Sequence, residues 1–457
     1  MNLDWFLPAP PPDSAEAWCF QVVPTVEIRV HTTFMEYTDR LFQLMVQLSE
    51  NDEYFQLAWD FDLSLAIGPA LPKGLPPPMI FRYMYEGARR GARVRVLASG
   101  GGQNREKNDE HTLRARDFKI QAYNDNQLPS GTSHHQKAVY MKLRKANHVF
   151  VGGVDLEVQR HKWFDVQAEI IGQGAALGRR TFEERWNSVL RSSIIDPFPL
   201  RPVVVSTSEP ANHHVQFLRT YPPFPNDKAG WTRTYAPLGD HTYYALISRA
   251  LKRVKSKLYI EEQFLYPMQK APAAPGSTSG ERRRSDVPDI PDTLENLLVA
   301  AVSRGVHVVI VVPHKSSVDV NAGYRNKVIQ ALKNVKKGRV DILQVRAGML
   351  FVHSKTWIFD DEFVVIGSAN FWANSFVSVS HPAESEFGVG FVSSIDGSSL
   401  QFKGESFARA LRIRLWERIK QTIDFNYIFP RRASASFQEE VAEFKSKIGD
   451  KETLESL

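Results

Sequence analysis

His353-Ser354-Lys355-Thr356-Trp357-Ile358-Phe359-Asp360 is followed shortly by Phe363-Val364-Val365-Ile366-Gly367-Ser368-Ala369-Asn370. Upstream, His135-Gln136-Lys137 leads at nearly the same distance to Gly152-Gly153-Val154-Asp155. With 13 histidines in the chain, a bare His-x-Lys triplet arises roughly once by accident. The extended pattern HxKx4Dx6GSxN with a partner triplet upstream does not. A repeated His/Lys pair meets the needs of phosphodiester chemistry without a metal. One imidazole attacks phosphorus, a second protonates the leaving oxygen, and two lysines hold the phosphate oxygens.

Around these triplets, three elements recur in the same order. In the first half, Phe34, Tyr37, Leu41, Leu44, Met45 and Leu48 are spaced as a helix stripe, and Phe55-Gln56-Leu57-Ala58-Trp59-Asp60 follows as a strand. Gly87 to Val96 then runs from a helix end into an alternating strand. In the second half, Tyr243 to Val254 is helix-periodic and Leu258 to Phe264 is a strand. Ala301-Val302-Ser303-Arg304-Gly305-Val306 repeats the Arg-Gly step. Gly91 precedes His135, and Gly305 precedes His353, at nearly equal spacing. This alternation predicts an α/β fold: two similar α/β/α sandwich halves with mixed sheets, related by a pseudo-twofold axis. Each half supplies one His and one Lys to a single active site at the junction. The expected division is 1–205, 206–430 and a tail at 431–457, with prolines clustering near the boundary.

The chain has 457 residues, 43% hydrophobic and 24% charged, the balance of an ordinary globular protein. Its single cysteine, Cys19, excludes an internal disulfide framework and a cysteine metal cluster. No HExxH or Asp-rich signature appears, so neither metal nor cofactor is expected. No apolar run reaches the ~18 residues of a membrane span; Val306 to Val312 reads as a buried strand. Asp4 and the Pro-rich run from Pro8 to Pro12 do not resemble a signal peptide. The expected location is cytoplasmic, or outside the cell by a signal-independent route. A net charge of +6 and a pI near 9.1 favour anionic partners, lipid headgroups or nucleic acid. Residues 268–292 read as a mobile loop. Phe437, Val441, Phe444 and Ile448 are spaced as a helix docked on its own core.

These motifs resemble the phospholipase D superfamily, which carries paired HxKx4Dx6G(G/S)xN motifs. The likeness covers most of residues 30–425. It extends to Trp163-Phe164-Asp165, Phe182-Glu183-Glu184-Arg185-Trp186-Asn187, Tyr259-Ile260-Glu261-Glu262-Gln263-Phe264 and Glu384-Ser385-Glu386. Where the family has Asp after the first lysine, this chain has Lys142. Side chains alternate along a strand, so a residue five beyond the lysine faces away from it. Asp360 is therefore expected to be structural, along with Gly152, Gly153 and Gly367.

The resemblance implies a phosphohistidine intermediate, with His135 favoured as nucleophile and His353 as acid/base; the residues alone do not order the two. A nucleophilic imidazole needs an acceptor on its second nitrogen. By position in the family phrases, Asp165 is expected to serve His135, and Glu386 to serve His353. Lys137 and Lys355 would bind nonbridging oxygens, helped by Ser368 and Asn370 as neutral donors. Asp155 stands where the second motif has Asn370; an ionised Asp cannot donate, so it is expected to brace the loop. The other histidines, His134 among them, read as structural or surface residues.

The implied function is that of a phosphoric diester hydrolase of phospholipase D type. It would hydrolyse glycerophospholipids or transfer their phosphatidyl group, working as a peripheral monomer at a membrane surface. The alternatives are a nuclease of the same superfamily, a cardiolipin-synthase-like phosphatidyltransferase, and a scaffold without activity. Retention of both histidines, both lysines and both carboxylates argues against the last.

Overall fold

The repeated Arg-Gly step is a helix stop. The helix Ile80–Arg89 closes with Gly91 N–H donating to Ala88 O and Ala92 N–H to Gly87 O. The helix Leu294–Ser303 closes identically, Gly305 to Val302 and Val306 to Ala301. This paired closure places its glycine in the left-handed region, with φ of 94° at Gly91 and 100° at Gly305. In both halves the chain leaves that turn straight into a parallel strand, Arg93–Ser99 or His307–Val312.

The computed structural model describes residues 1–8, 17–68, 78–128, 132–189, 212–222, 235–236, 239–268, 292–314, 322–345, 351–376, 384–400, 402–421, 437–442 and 454–456. Residues 269–291 of the expected loop, Phe444, Ile448 and most of the proline cluster lie outside these. The fold is mixed α/β with two large sheets. The first runs Glu27–His31, Gln167–Ile171, Asn147–Gly152, Ala138–Lys142, Glu53–Ala58, Arg93–Ser99, Gln121–Asp125. The second repeats that order with His213–Thr220, Glu386–Ser393, Phe363–Gly367, Thr356–Phe359, Lys257–Glu261, His307–Val312 and Arg339–Val345. It adds Val23–Thr25 at one edge and Leu454–Ser456 at the other. In each sheet the last three strands of the repeated order are parallel and the others antiparallel. The N-terminal residues cross over: Val23–Thr25 pairs with His213–Thr220, and Trp5 and Phe6 pack on Phe363.

Strand alternation divides the core. Val309 and Val311 point into a central cluster between the two sheets, while Val308, Ile310 and Val312 join the outer helices. Likewise Val149 and Val151 face the centre and Phe150 faces outward. A strand buried on both faces must be apolar throughout, hence the run of β-branched residues. The helices Gln173–Val189 and Phe407–Gln421 also contribute to the centre through Phe182, Trp186, Leu411 and Trp416. Val441 enters the same cluster, and Phe437 stacks on Trp416.

Asp360 is a brace for the turn before Lys257–Glu261. Its carboxylate accepts from the N–H groups of Lys255, Ser256 and Lys257 at 2.9, 2.8 and 3.0 Å. In the first half the equivalent turn closes from within, Asp52 accepting from Ser49 N at 2.9 Å. Lys142, exposed at its strand end, leaves no turn unbraced. Asp360→Ala is therefore expected to destabilise the protein by about 2 kcal/mol and Lys142→Ala by less than about 0.5. Urea midpoints of the two variants check this ordering.

Candidate active site

Both His-x-Lys triplets sit where a strand of one half meets a loop of the other. Ser133 to His135 runs beside Ser385: His135 N–H donates to Ser385 O at 2.9 Å, and Ser385 N–H to Ser133 O at 3.2 Å. Phe351–Val352 pairs in parallel with Trp163–Phe164, and His353 N–H donates to Phe164 O at 2.7 Å. Each histidine is thereby laid beside the carboxylate that follows the opposing segment.

The orienting pairs are consequently the reverse of those expected. His135 Nδ1 lies 3.0 Å from Glu386, and His353 Nδ1 lies 2.5 Å from Asp165. The correction has a simple cause. Family phrases order residues along the chain, whereas backbone pairing across the junction decides which carboxylate reaches which imidazole. With Nδ1 committed in both rings, Nε2 is the nitrogen left to react.

Gly153 makes the second pair possible. A Cβ there would stand 2.1 Å from Asp165 Oδ1. Gly152 is pressed against Val166 O, where a Cβ would approach to 2.2 Å. Gly367 faces Tyr243 Oη and the backbone of Gly388, at 2.4 and 2.7 Å from an added Cβ. These motif glycines let strands and loops approach more closely than any side chain permits.

The lysines are almost fully buried, each 1% exposed. Lys137 Nζ donates to His135 O at 2.9 Å and pairs with Asp155 at 3.3 Å. Asp155 also accepts from the N–H groups of Trp59 and Asp60, at 3.2 and 3.1 Å, bracing that turn. Lys355 Nζ donates to Gln263 Oε1 at 3.0 Å and to His353 O. Ser368 departs from its expected role as a phosphate donor. Its hydroxyl is fully buried and donates to Glu386, which also receives Ser375 Oγ at 2.6 Å. Ser368 thus holds the carboxylate that holds His135. Asn370, 2% exposed, has an Oδ1 with no hydrogen-bond partner among the described residues.

Burial lowers the basicity of His135 well below the ordinary imidazole, and the charges of Lys137 and Lys355 lower it further. His353 is lowered by burial, then by Lys355 and Arg160. Burial raises Asp165 and, with the charge of Glu384, raises Glu386. Each imidazole–carboxylate couple therefore keeps one proton, a neutral ring donating Nδ1–H to a carboxylate. Burial also pulls Lys355 down to about 7.

Sequence reasoning passed over four neighbours of these groups. Arg160 is buried, and its guanidinium lies 3.8 Å from the Trp163 ring centre. Trp59 stands edge-on to His135 at 5.6 Å and lies under Lys137 at 5.1 Å. Gln263, which accepts from Lys355, lies two residues past Glu261, where its strand ends. Glu384 comes within 4.8 Å of His135 and Glu386, an imidazole and two carboxylates of the kind that bind a divalent cation. Burial pushes Glu384 up to about 7.

Residues 289–385 match the family model described as "Cardiolipin synthase, PLD-like domain". No curated protein matches the chain in sequence. Among solved structures it is similar to a crystal structure of phosphatidylserine synthase from Haemophilus influenzae Rd KW20. The identity is 12%, covering 97% of this chain and 91% of that one at a TM-score of 0.54. It also matches polyphosphate kinase from Porphyromonas gingivalis at 12% identity, covering 93% of this chain and 55% of that one at a TM-score of 0.47. The first likeness shows a shared fold.

The crossed couples predict a spectroscopic result. Asp165→Asn is expected to remove the downfield Nδ1–H proton resonance that His353→Ala also removes. The resonance lost in His135→Ala should survive in Asp165→Asn and disappear in Glu386→Gln.

Proposed function

The chain belongs to the phospholipase D superfamily, and from that premise we propose that it cleaves the headgroup ester of glycerophospholipids through a phosphohistidine. The observation that carries this reading is the crossed couple. Two imidazoles, each held at Nδ1 by a carboxylate of the other half, stand beside two buried lysines.

His135 Nε2 attacks phosphorus, its developing positive charge met by Glu386. His353, neutral in the free site, takes up a second proton at Nε2 as the phosphodiester anion binds, with Asp165 stabilising the imidazolium, and gives that proton to the departing alcohol. Lys137 and Lys355 take the nonbridging oxygens. An alcohol or water then delivers its proton to His353 Nε2 and takes the phosphatidyl group from His135. Alcohol gives exchange; water gives hydrolysis. The match to a cardiolipin synthase domain supports a lipid substrate and phosphatidyl transfer. The partly exposed indoles of Trp59 and Trp163, beside His135 and His353, suit apolar parts of a lipid. The protein acts as a monomer on a membrane surface, and no helix among its described residues is long and apolar enough to cross a membrane.

Mixed phospholipid vesicles with added ethanol test the proposal. Wild type should form phosphatidylethanol, and His135→Ala and His353→Ala should each lose at least about a thousandfold. Cleavage of a single-stranded oligonucleotide without any lipid product would move the chain to the nuclease reading.

A pH profile gives a second test. Lys355 is charged only below its lowered value of about 7, held there by burial and Lys137 against Asp165, Glu262 and Glu386. As pH rises through 7 the free enzyme loses that charge. We expect kcat/KM to fall over this range, and the falling limb to move to higher pH in Lys355→Arg, whose guanidinium stays protonated.

A further inference from the structure

The run Gly100-Gly101-Gly102 leaves the C-terminal end of the strand Arg93–Ser99 and enters the helix Arg105–Arg116. With Arg105, Thr132 and Ser133 it walls a cavity of about 450 Å3. The cavity lies where ligands of open α/β sheets collect, outside the carboxyl ends of parallel strands. Two of the glycines resist replacement: a Cβ on Gly101 would stand 2.4 Å from the backbone Thr132 O, and Gly102 takes a left-handed φ of 78°.

On the cavity wall, Ser133 is the residue that contacts the neighbourhood of the reacting groups. Its hydroxyl lies 3.4 Å from Glu384 Oε1. Glu384 comes within 4.8 Å of His135, and its other carboxylate oxygen is buried with no hydrogen-bond partner among the described residues. An unfilled acceptor beside the reacting imidazole calls for a donor from a ligand, such as a hydroxyl.

Charge distinguishes the outer end. The acid on the wall, Asp125, is neutralised by Arg185 at 2.8 Å and His134 at 3.0 Å. Despite its burial, these two hold its carboxyl far below the usual range. Arg105 is exposed, and its ion pair among the described residues is a loose one, to Asp109 at 3.8 Å. Its guanidinium is available to an anion.

We propose that this cavity seats the alcohol that exchanges with the phosphatidyl group, and selects an alcohol carrying a phosphate or carboxylate. The hydroxyl lies toward Ser133 and Glu384; the anion lies at Arg105. This rests on the phospholipid reading above. In the transfer step the alcohol oxygen bonds to phosphorus and the P–N bond breaks, its electron pair returning to His135 Nε2. The alcohol proton goes to His353 Nε2. By reversal of the same step, the departing headgroup alcohol occupies the same cavity.

The test is competition within one tube. Full-length protein acts on vesicles of phosphatidylcholine, phosphatidylethanolamine and phosphatidylglycerol, with ethanol, glycerol and glycerol 3-phosphate at equal concentrations. Because the products share one enzyme population, their ratio is independent of the folded fraction. The glycerol phosphate product should exceed the glycerol product at least about tenfold. Arg105→Gln should reduce that ratio about tenfold, the worth of one charge-assisted hydrogen bond. Arg105→Lys should retain most of it. Phosphatidylethanol with a wild-type ratio near one, or an unchanged ratio in Arg105→Gln, overturns this assignment alone. No phosphatidyl product with any acceptor overturns the phospholipid reading and this one together.

Discussion

Two backbone hydrogen bonds across the junction, His135 N–H to Ser385 O and His353 N–H to Phe164 O, set the rest of the site. Each locks a His-bearing segment of one half beside a carboxylate-bearing segment of the other. Neither half completes the couple of its own motif histidine: His135 takes Glu386 and His353 takes Asp165 from the other half. The duplicated unit therefore amounts to two incomplete copies that finish each other. The central apolar cluster, drawn from both sheets, keeps them in register. A shift at that interface would unmake both couples at once.

Concentrating charge in such a place is costly. Removing an ion from water carries an effective penalty of several kcal/mol, and Lys137, Lys355, Asp165 and Glu386 are all nearly inaccessible. The structure offsets this with hydrogen bonds and buried struts. Arg418 donates to Thr32 O at 2.7 Å, to Asp165 O at 2.9 Å and to Glu261 at 2.7 Å. Glu261 in turn receives Ser354 Oγ at 2.6 Å, beneath the second triplet. The residual imbalance is useful. Burial and neighbouring cations hold the basicity of His135, His353 and Lys355 down, and the negative charge of a bound phosphodiester would oppose that lowering.

Much of the fold was legible because its signals are local. Gly91 and Gly305 mark helix stops, since only a residue without Cβ adopts that left-handed turn without strain. The run from Val306 to Val312 announces a strand covered on both faces. Asp360 sits past its strand's end at a φ of 51° and braces a turn, a role Asp52 fills in the first half, which is why Lys142 in the other motif costs so little. Arg160 and Glu384 carried weaker signals. A charged residue in a loop reads as solvated until the opposite half is seen to cover it.

The sequence by itself determined the chemistry available: two histidines, two lysines and two carboxylates, on a duplicated α/β frame whose strands and turns follow from alternation and glycine placement. Tertiary structure alone decided which carboxylate serves which histidine, and that Ser368 supports Glu386 rather than facing phosphate. The physical reason is that partner choice depends on pairing between segments some 190 to 250 residues apart, Phe164 with His353 and His135 with Ser385. Local periodicity fixes a side chain's face on its own strand; it carries no information about what the other half brings to meet it.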